Sequence, residues 1–292
     1  MKKTILAIIF YLLILLNVFA QDNEAGKTTI SAHYLLTSVH YSNKSMNTGS
    51  ILTWRDSYLH GAYLNVNFQN APSYFNRSNI GIGFSGSFNG YHTDDDANND
   101  ANVIYVSTPK ISLLELKYEM LHRGSMINPK LGIDFNMLMF KNYDTRAFPR
   151  KNSGISSWWP EREGLRNTYD IYKLGYLAGV SVFFGNRVVY LEASGQIGMG
   201  FYFARANWLS NDNFKSPVSF LDIGTSFRGG SDVEVGLKLS VFTFFVKALI
   251  DFEINPGLGI SLQFQSDDTL HIQPIFFELS RASFCAGLKV SF

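Results

Sequence analysis

The sequence ends on R-A-S-F-C-A-G-L-K-V-S-F, residues 281–292, and the pattern of this stretch recurs through the rest of the chain. Its apolar residues stand at every second position: Phe284, Ala286, Leu288, Val290 and Phe292. Small or polar residues stand between them: Cys285, Gly287, Lys289 and Ser291. Because successive side chains of a β-strand point to opposite faces of its sheet, this pattern predicts a strand with one apolar and one polar face.

An aromatic residue at the very end of an alternating strand is typical of outer-membrane β-barrels, whose last strand closes against the first. The same alternation appears in segments 62–69, 80–89, 114–120, 131–139, 189–203, 233–241 and 247–254. A soluble sandwich also alternates, but several of these segments exceed the usual ~5–6 residues and carry charges within them. Unpaired backbone groups are costly in hydrocarbon, so such a sheet must close. We therefore predict an all-β fold, a transmembrane antiparallel up-and-down β-barrel.

Short and long connections alternate along the sequence, and this alternation predicts the orientation of the barrel. The short connections, expected as periplasmic turns, are 70–76, 122–129 and 185–186. The long polar ones, expected as extracellular loops, are 43–50, 92–102, 141–167 and 210–216. Counting from a first strand near 27–41 gives about ten strands. Gly229-Gly230 and Asn255-Pro256-Gly257 each fit a bulge or a turn, so counts of roughly eight or twelve stay open.

The N-terminus has the three parts of a secretory signal peptide. These are two lysines, an apolar run at 5–16 and a small-residue cleavage site at 18–20. The run is shorter than the ~20 residues of a membrane-spanning helix, which favours cleavage over a transmembrane anchor. We expect residues 1–20 to be a signal peptide for Sec-type export and residues 21–292 to form one outer-membrane domain.

Composition limits the classes of function. The net charge of +1 gives no basic excess for nucleic acid and no acidic block for a disordered tail. The single cysteine, Cys285, rules out an internal disulfide despite the predicted export. We expect a monomer in the outer membrane whose partners are membrane lipid and, at the loops, an extracellular peptide or glycan. No cofactor, metal or nucleic acid is expected.

The stretch G-S-F-N-G-Y-H-T-D-D-D-A-N-N-D at 86–100 concentrates acidic side chains at one predicted loop. An ordinary solvated loop tip is one interpretation. Ca²⁺ binding is a second, since clustered carboxylates suit hard cations, although the spacing differs from an EF-hand loop. Acid–base chemistry is a third, because neighbouring carboxylates raise one another's pKa.

This region resembles the omptins, which are ten-stranded outer-membrane endoproteases. Members carry a D-x-D aspartate pair beyond a G-S-x-x-G segment at the top of the third strand. The matching residues here are Gly86, Ser87, Gly90, Asp94 and Asp96. Segment 50–66 is similar to the family's second strand, and E-G-L-R at 163–166 and the A-G-L-K ending also fit. The resemblance implies a proteolytic site at the extracellular barrel mouth that includes the two aspartates.

The second half of the omptin site is an Asp and a His two residues apart, which are thought to activate a water. The corresponding stretch is W-L-S-N-D-N-F at 208–214, where Asp212 matches the Asp and Phe214 stands at the His position. A phenyl ring cannot accept a proton, so the general base implied by the resemblance is missing there. His92 and His271 are the candidate substitutes, although either fits an ordinary loop histidine.

A second loop, at 148–166, combines cationic and aromatic residues: Arg150, Lys151, Trp158, Trp159, Arg162 and Arg166. Such groups can hold lipid head groups, glycans or peptides. They are equally typical of an interfacial aromatic belt with snorkelling cations, which we favour.

Three hypotheses of function follow. The favoured one is a binding, adhesion or structural barrel with a degenerate protease site. The alternative is an active endopeptidase that uses Asp94, Asp96 and Asp212 with a displaced His. A small-solute channel is the third, and it is disfavoured because large inward side chains fill a narrow barrel.

Overall fold

The protein is represented by a computed structural model, which describes residues 28–45, 51–70, 74–87, 91–95, 103–122, 126–149, 162–186, 188–208, 218–264 and 270–292. The predicted signal peptide at 1–20 lies outside these residues. Among the described residues there is no helix with the length and hydrophobicity to cross a bilayer.

The described chain forms one antiparallel sheet of very long strands. These are β1 (Thr29–Ser45), β2 (Ile51–Gln69), β3 (Arg77–Ser87), β4 (Tyr91–Asp95), β5 (Val103–Leu121), β6 (Ile127–Pro149), β7 (Arg162–Gly185), β8 (Val189–Trp208), β9 (Val218–Leu239), β10 (Phe242–Phe264) and β11 (Leu270–Ser291). Both β3 and β4 pair with β2 on one side and β5 on the other, so they are two segments of one barrel strand. The barrel therefore has ten strands, which confirms the predicted class and resolves the strand count.

The C-terminal strand closes the barrel. β11 pairs with β1 in an unbroken register from Thr29 opposite Ser291 to Ser45 opposite Ile275, and the Phe292 amide donates to the Thr28 carbonyl at 2.9 Å. The alternating residues that predicted this strand divide as expected, since Phe284 is 52% exposed on the outer face and Cys285 is 3% exposed inside. Closure leaves no unpaired sheet edge for lipid to meet.

The two ends of the barrel differ in their connections. Short connections lie at the end of the barrel where β1 begins and β11 ends. They are residues 70–76, 122–126, 186–188 and 240–241. The connections at the other end are longer on average and reach twelve residues at 150–161. Since outer-membrane barrels have short periplasmic turns and long extracellular loops, the first end is periplasmic. The predicted turn at 185–186 is confirmed by the Asn186 amide donating to the Val189 carbonyl at 2.8 Å.

Several predicted connections are wrong in extent. Residues 43–45, 92–95, 141–149 and 162–167 were expected in loops but lie in strands. Strand pairing continues beyond the membrane on the extracellular side, where both faces of the sheet meet water. Polar side chains are therefore allowed on both faces. The composition of these strand ends is typical of a loop, although their backbone is paired. The alternation at 233–241 likewise crosses a two-residue turn, at Ser240 (φ 58°) and Val241.

Gly229 and Gly230 lie within β9, whereas residues 255–259 form a bulge within β10. The register of β10 shifts there against both β9 and β11. The Asn255 side-chain oxygen accepts from the amides of Gly257 (2.8 Å) and Leu258 (2.7 Å), which replaces ladder bonds lost at the bulge. Gly257 has φ +92°, a conformation that glycine adopts without strain.

The Tyr63 ring fills space left by two glycines on the neighbouring strand. A Cβ atom on Gly81 or Gly83 would overlap that ring. We predict that Gly83→Val lowers the free energy of unfolding by about 1–3 kcal/mol, because the ring must leave a packed interior. Denaturant unfolding in lipid vesicles measures this change. The double variant Gly83→Val with Tyr63→Ala should lose less free energy of unfolding than the two single variants together. Losses that add exactly would contradict the contact between the ring and Gly83.

Candidate functional site

The lumen contains an apolar layer towards the extracellular end, which we call the seal. Its buried residues come from seven strands: Val39, Tyr41, Leu59, Ile111, Leu113, Leu138, Phe140, Tyr169, Ile171, Tyr202, Ala204 and Phe277. The Tyr41 ring packs centrally, with its centroid 5.8 Å from Phe140, 5.6 Å from Tyr169 and 5.8 Å from Phe277. The alternation predicted a polar inward face, so this apolar layer inside the barrel departs from that expectation. These side chains are at most 5% exposed, so apolar groups pack against one another inside the barrel at this level.

A hydrogen-bonded chain crosses the seal. The hydroxyls of Tyr41 on β1 and Tyr169 on β7 lie 2.9 Å apart, and the Tyr169 hydroxyl donates to the Asp222 carboxylate on β9 at 2.8 Å. Asp222 is only 3% exposed. On the same side, the Asn255 amide donates to the Tyr202 hydroxyl at 2.7 Å and so ties the bulge in the wall to the seal. These bonds satisfy polar groups that would be costly to bury alone.

A layer of ion pairs lies on the periplasmic side of the seal. Arg281 of β11 binds Glu115 of β5 and Asp251 of β10, so one guanidinium joins opposite walls. Further pairs among the described residues include Lys117–Glu119 (2.8 Å), Lys173–Glu253 (2.6 Å), Arg228–Glu253 (3.4 Å), Arg228–Asp134, Lys247–Asp232 (3.0 Å) and Lys289–Glu234. Predicted inward residues of the alternating segments supply most of these groups. Their mutual pairing fills the lumen with satisfied charges.

A cavity of about 30 Å³ lies between the two layers, with Val39 and Leu138 of the seal on one side and Arg228 and Arg281 on the other. This volume holds water but not a solute, since one water needs roughly 10–15 Å³. Further towards the periplasm, the side-chain oxygens of Asn65, Asn67 and Asn79 have no protein partner among the described groups. These oxygens are buried, and each such unpaired group costs about 1–3 kcal/mol.

The predicted catalytic residues are only partly within the described chain. Asp94 and His92 lie on β4, not in a loop, and the Asp94 backbone is opposite Leu52 of β2 and Tyr105 of β5. Their side chains, and residues Asp96, Asp212 and Phe214, are outside what the structure describes, as is the His271 side chain. The proposed assembly of aspartates with a histidine therefore stays a prediction.

Sequence reasoning missed Tyr41, Tyr169 and Asp222, which the fold brings together near the extracellular end. The signal available was Asp222 within the apolar stretch S-F-L-D-I-G, where an isolated carboxylate needs a buried partner. Nothing in the sequence points to tyrosines of β1 and β7 as that partner. Within the described ranges, no three His, Cys, Asp or Glu side chains are grouped as metal ligands.

A closed, ten-stranded barrel with an apolar exterior and short turns at one end defines an outer-membrane β-barrel protein. Among solved structures, the chain is similar to the outer membrane protease OmpT from Escherichia coli, with a TM-score of 0.72 at 12% identity over 93% of this chain and 98% of that chain. The translocator domain of the autotransporter NalP from Neisseria meningitidis has a TM-score of 0.43 at 8% identity, over 99% and 97% of the two chains.

No protein-family model matches the sequence, and comparison with curated protein sequences gives no match either. The omptin-like fold expected from the sequence is thus confirmed by the structural likeness. At 12% identity the likeness establishes the fold and not the activity. The structures that resemble the chain are outer-membrane barrels, which indicates an outer-membrane location.

Proposed function

We propose that this protein is a sealed outer-membrane barrel that binds a ligand at its extracellular end and neither conducts solutes nor cleaves peptides. The observation that supports the proposal is the packing of the described lumen by the seal and the ion-pair layer. We further propose that it is exported by the Sec route, that residues 1–20 are removed, and that it works as a monomer surrounded by membrane lipid.

The filled lumen argues against the channel hypothesis. A solute-conducting barrel needs a continuous aqueous path, whereas the described lumen has the seal at one level and cross-wall ion pairs at another. Arg281 and the Tyr41–Tyr169 contact each span the lumen. Each contact obstructs the path that a solute would take through the lumen.

The length of β6 and β7 supports binding outside the membrane. Exposed Lys141 ends the apolar outer face of β6, yet the strand continues to Pro149, and β7 starts at Arg162. This hairpin therefore extends the wall beyond the bilayer and carries the cationic and aromatic loop at 150–161. Such composition suits an anionic extracellular peptide or glycan.

An endopeptidase is the second candidate, and the structural likeness to OmpT favours it. Asp94, Asp96 and Asp212 would act there together with a displaced His. Phe214 argues against it, because that position would need a proton acceptor. We therefore propose that the inherited site is degenerate.

Two measurements on refolded protein separate the candidates. A quenched dibasic peptide reports cleavage, with Asp94→Ala as the control. Labelled hexaglutamate and a labelled heparin-derived hexasaccharide report binding, with residues 150–161 replaced by a Gly/Ser linker as the control. We expect cleavage no faster than for Asp94→Ala, and binding of one probe that weakens about tenfold in the linker variant. Cleavage that Asp94→Ala abolishes would establish the endopeptidase instead. Equal binding by the wild-type protein and the linker variant would contradict the proposal that residues 150–161 bind the ligand.

A further inference from the structure

The lipid-facing surface carries a groove that runs obliquely across the strands from β5 to β10. One lip is a row of cross-strand neighbours from Tyr118 on β5 to Phe227 on β9. The other is the adjacent row from Met120 to Ile197, continued by Phe252. The volume between the rows is about 760 Å³. This lies within the ~300–1,000 Å³ of typical ligand sites.

The second row of the groove is lowest at Ala178. This residue stands between Leu131 and Ile197 and has a smaller side chain than either. The lips of the groove are apolar and exposed, with Ile197 at 73% and Tyr176 at 51%. Since the groove lies within the apolar band that faces the bilayer, its occupant comes from the membrane.

The dimensions fit one lipid chain. The groove crosses five inter-strand spacings, which at about 4.8 Å each gives a length of roughly 24 Å. One leaflet of the hydrocarbon core is about 15 Å thick, half of ~30 Å, so a single acyl chain can lie along the groove obliquely. A protein partner would instead need a far larger and flatter contact of at least ~1,000 Å².

The end of the groove at β5 and β6 shows which leaflet of the membrane its occupant comes from. Met120 stands next to Leu121, the periplasmic end of β5, and Leu131 lies near the periplasmic start of β6. A head group at this end therefore belongs to the periplasmic leaflet of the membrane, which consists of phospholipid. We infer that this groove is a specific site for one acyl chain of a periplasmic-leaflet phospholipid.

Native mass spectrometry of the refolded, delipidated protein tests the inference. The probe is palmitoyl-oleoyl phosphatidylethanolamine, and a parallel arm uses lipopolysaccharide. Ala178→Trp fills the groove, whereas Ala248→Trp places the same ring on exposed Ala248 of β10, which does not line it. Wild type and Ala248→Trp should retain one phospholipid, and Ala178→Trp should retain about fivefold less.

Folding of each variant is checked by heat-modifiable electrophoretic mobility. If Ala178→Trp fails to fold, Ala178→Leu serves instead, with an intermediate loss expected because it fills less of the groove. Equal lipid occupancy in all three proteins would overturn the site. Preferential retention of lipopolysaccharide over phospholipid, lost in the groove variant alone, would overturn the assigned leaflet.

Discussion

Replacing Arg281 with methionine is expected to lower the free energy of unfolding by about 3–5 kcal/mol, the largest effect of any single interior substitution considered. The guanidinium binds Glu115 and Asp251, and all three side chains are at most 18% exposed. Methionine keeps most of the volume but leaves two carboxylates in a poorly hydrated lumen without a cation. Denaturant unfolding in vesicles, followed by tryptophan fluorescence, measures the loss.

Arg205→Met is the matched control for this prediction. Arg205 is exposed near the extracellular end of β8, so the same substitution should change stability by no more than about 1 kcal/mol. Adding Glu115→Gln and Asp251→Asn to Arg281→Met should restore part of the loss, because the uncompensated charges are then gone. Equal losses for Arg205→Met and Arg281→Met would refute the role of the buried pairing.

Asn255→Leu is expected to lower the free energy of unfolding by about 3 kcal/mol. The substitution leaves the buried hydroxyl of Tyr202 and the part-buried amides of Gly257 and Leu258 without partners. An unsatisfied buried group costs about 1–3 kcal/mol. Leucine has a similar size, so little of the effect comes from lost volume. Amide hydrogen exchange should also speed up at residues 255–259, because the bulge loses its internal anchor.

Asn186→Leu provides the control in the same motif. The Asn186 side chain accepts from the amides of Val188 (2.7 Å) and Val189 (2.8 Å), but the turn is exposed at the periplasmic end. Water replaces those bonds, so the loss should be no more than about 1 kcal/mol. If Asn186→Leu lowered the free energy of unfolding as much as Asn255→Leu, burial of the hydrogen bonds would not determine the size of the loss.

The outer surface of the barrel was predictable from the sequence because lipid requires apolar side chains on the outer face of every strand. Phe284, Ile197 and Val233, predicted on the apolar face, are 52%, 73% and 46% exposed. The turn at residues 240–241 was not predictable in this way. A two-residue hairpin keeps the period of two, so the alternation from Val233 to Val241 continues through it without a break.

The seal was missed because its residues interrupt the alternation instead of extending it. In M-L-M-F at residues 137–140, Met137 and Met139 follow the outer face, whereas Leu138 and Phe140 are buried inside. Runs of consecutive apolar residues near the extracellular strand ends were the available signal, since both faces are then apolar. The register of strand pairing decides which of these apolar runs meet across the lumen. The composition of the runs does not encode that register.

The candidate site was less predictable still. Asp94 was identified from its neighbours in sequence and lies near the expected barrel end on β4. Asp222 was not identified, because its partner Tyr169 is on a strand more than fifty residues away. Contacts across a lumen join residues distant in sequence, and a single sequence carries no pairwise signal for them.

Single-channel recording in a planar bilayer tests the sealed barrel most directly. The wild-type protein should insert without steady conductance steps, whereas the variant Tyr41→Ala with Tyr169→Ala should show them, because the seal loses its central contact. Steady steps of the same size from both proteins would show that the lumen is open in the native state, and would contradict the account.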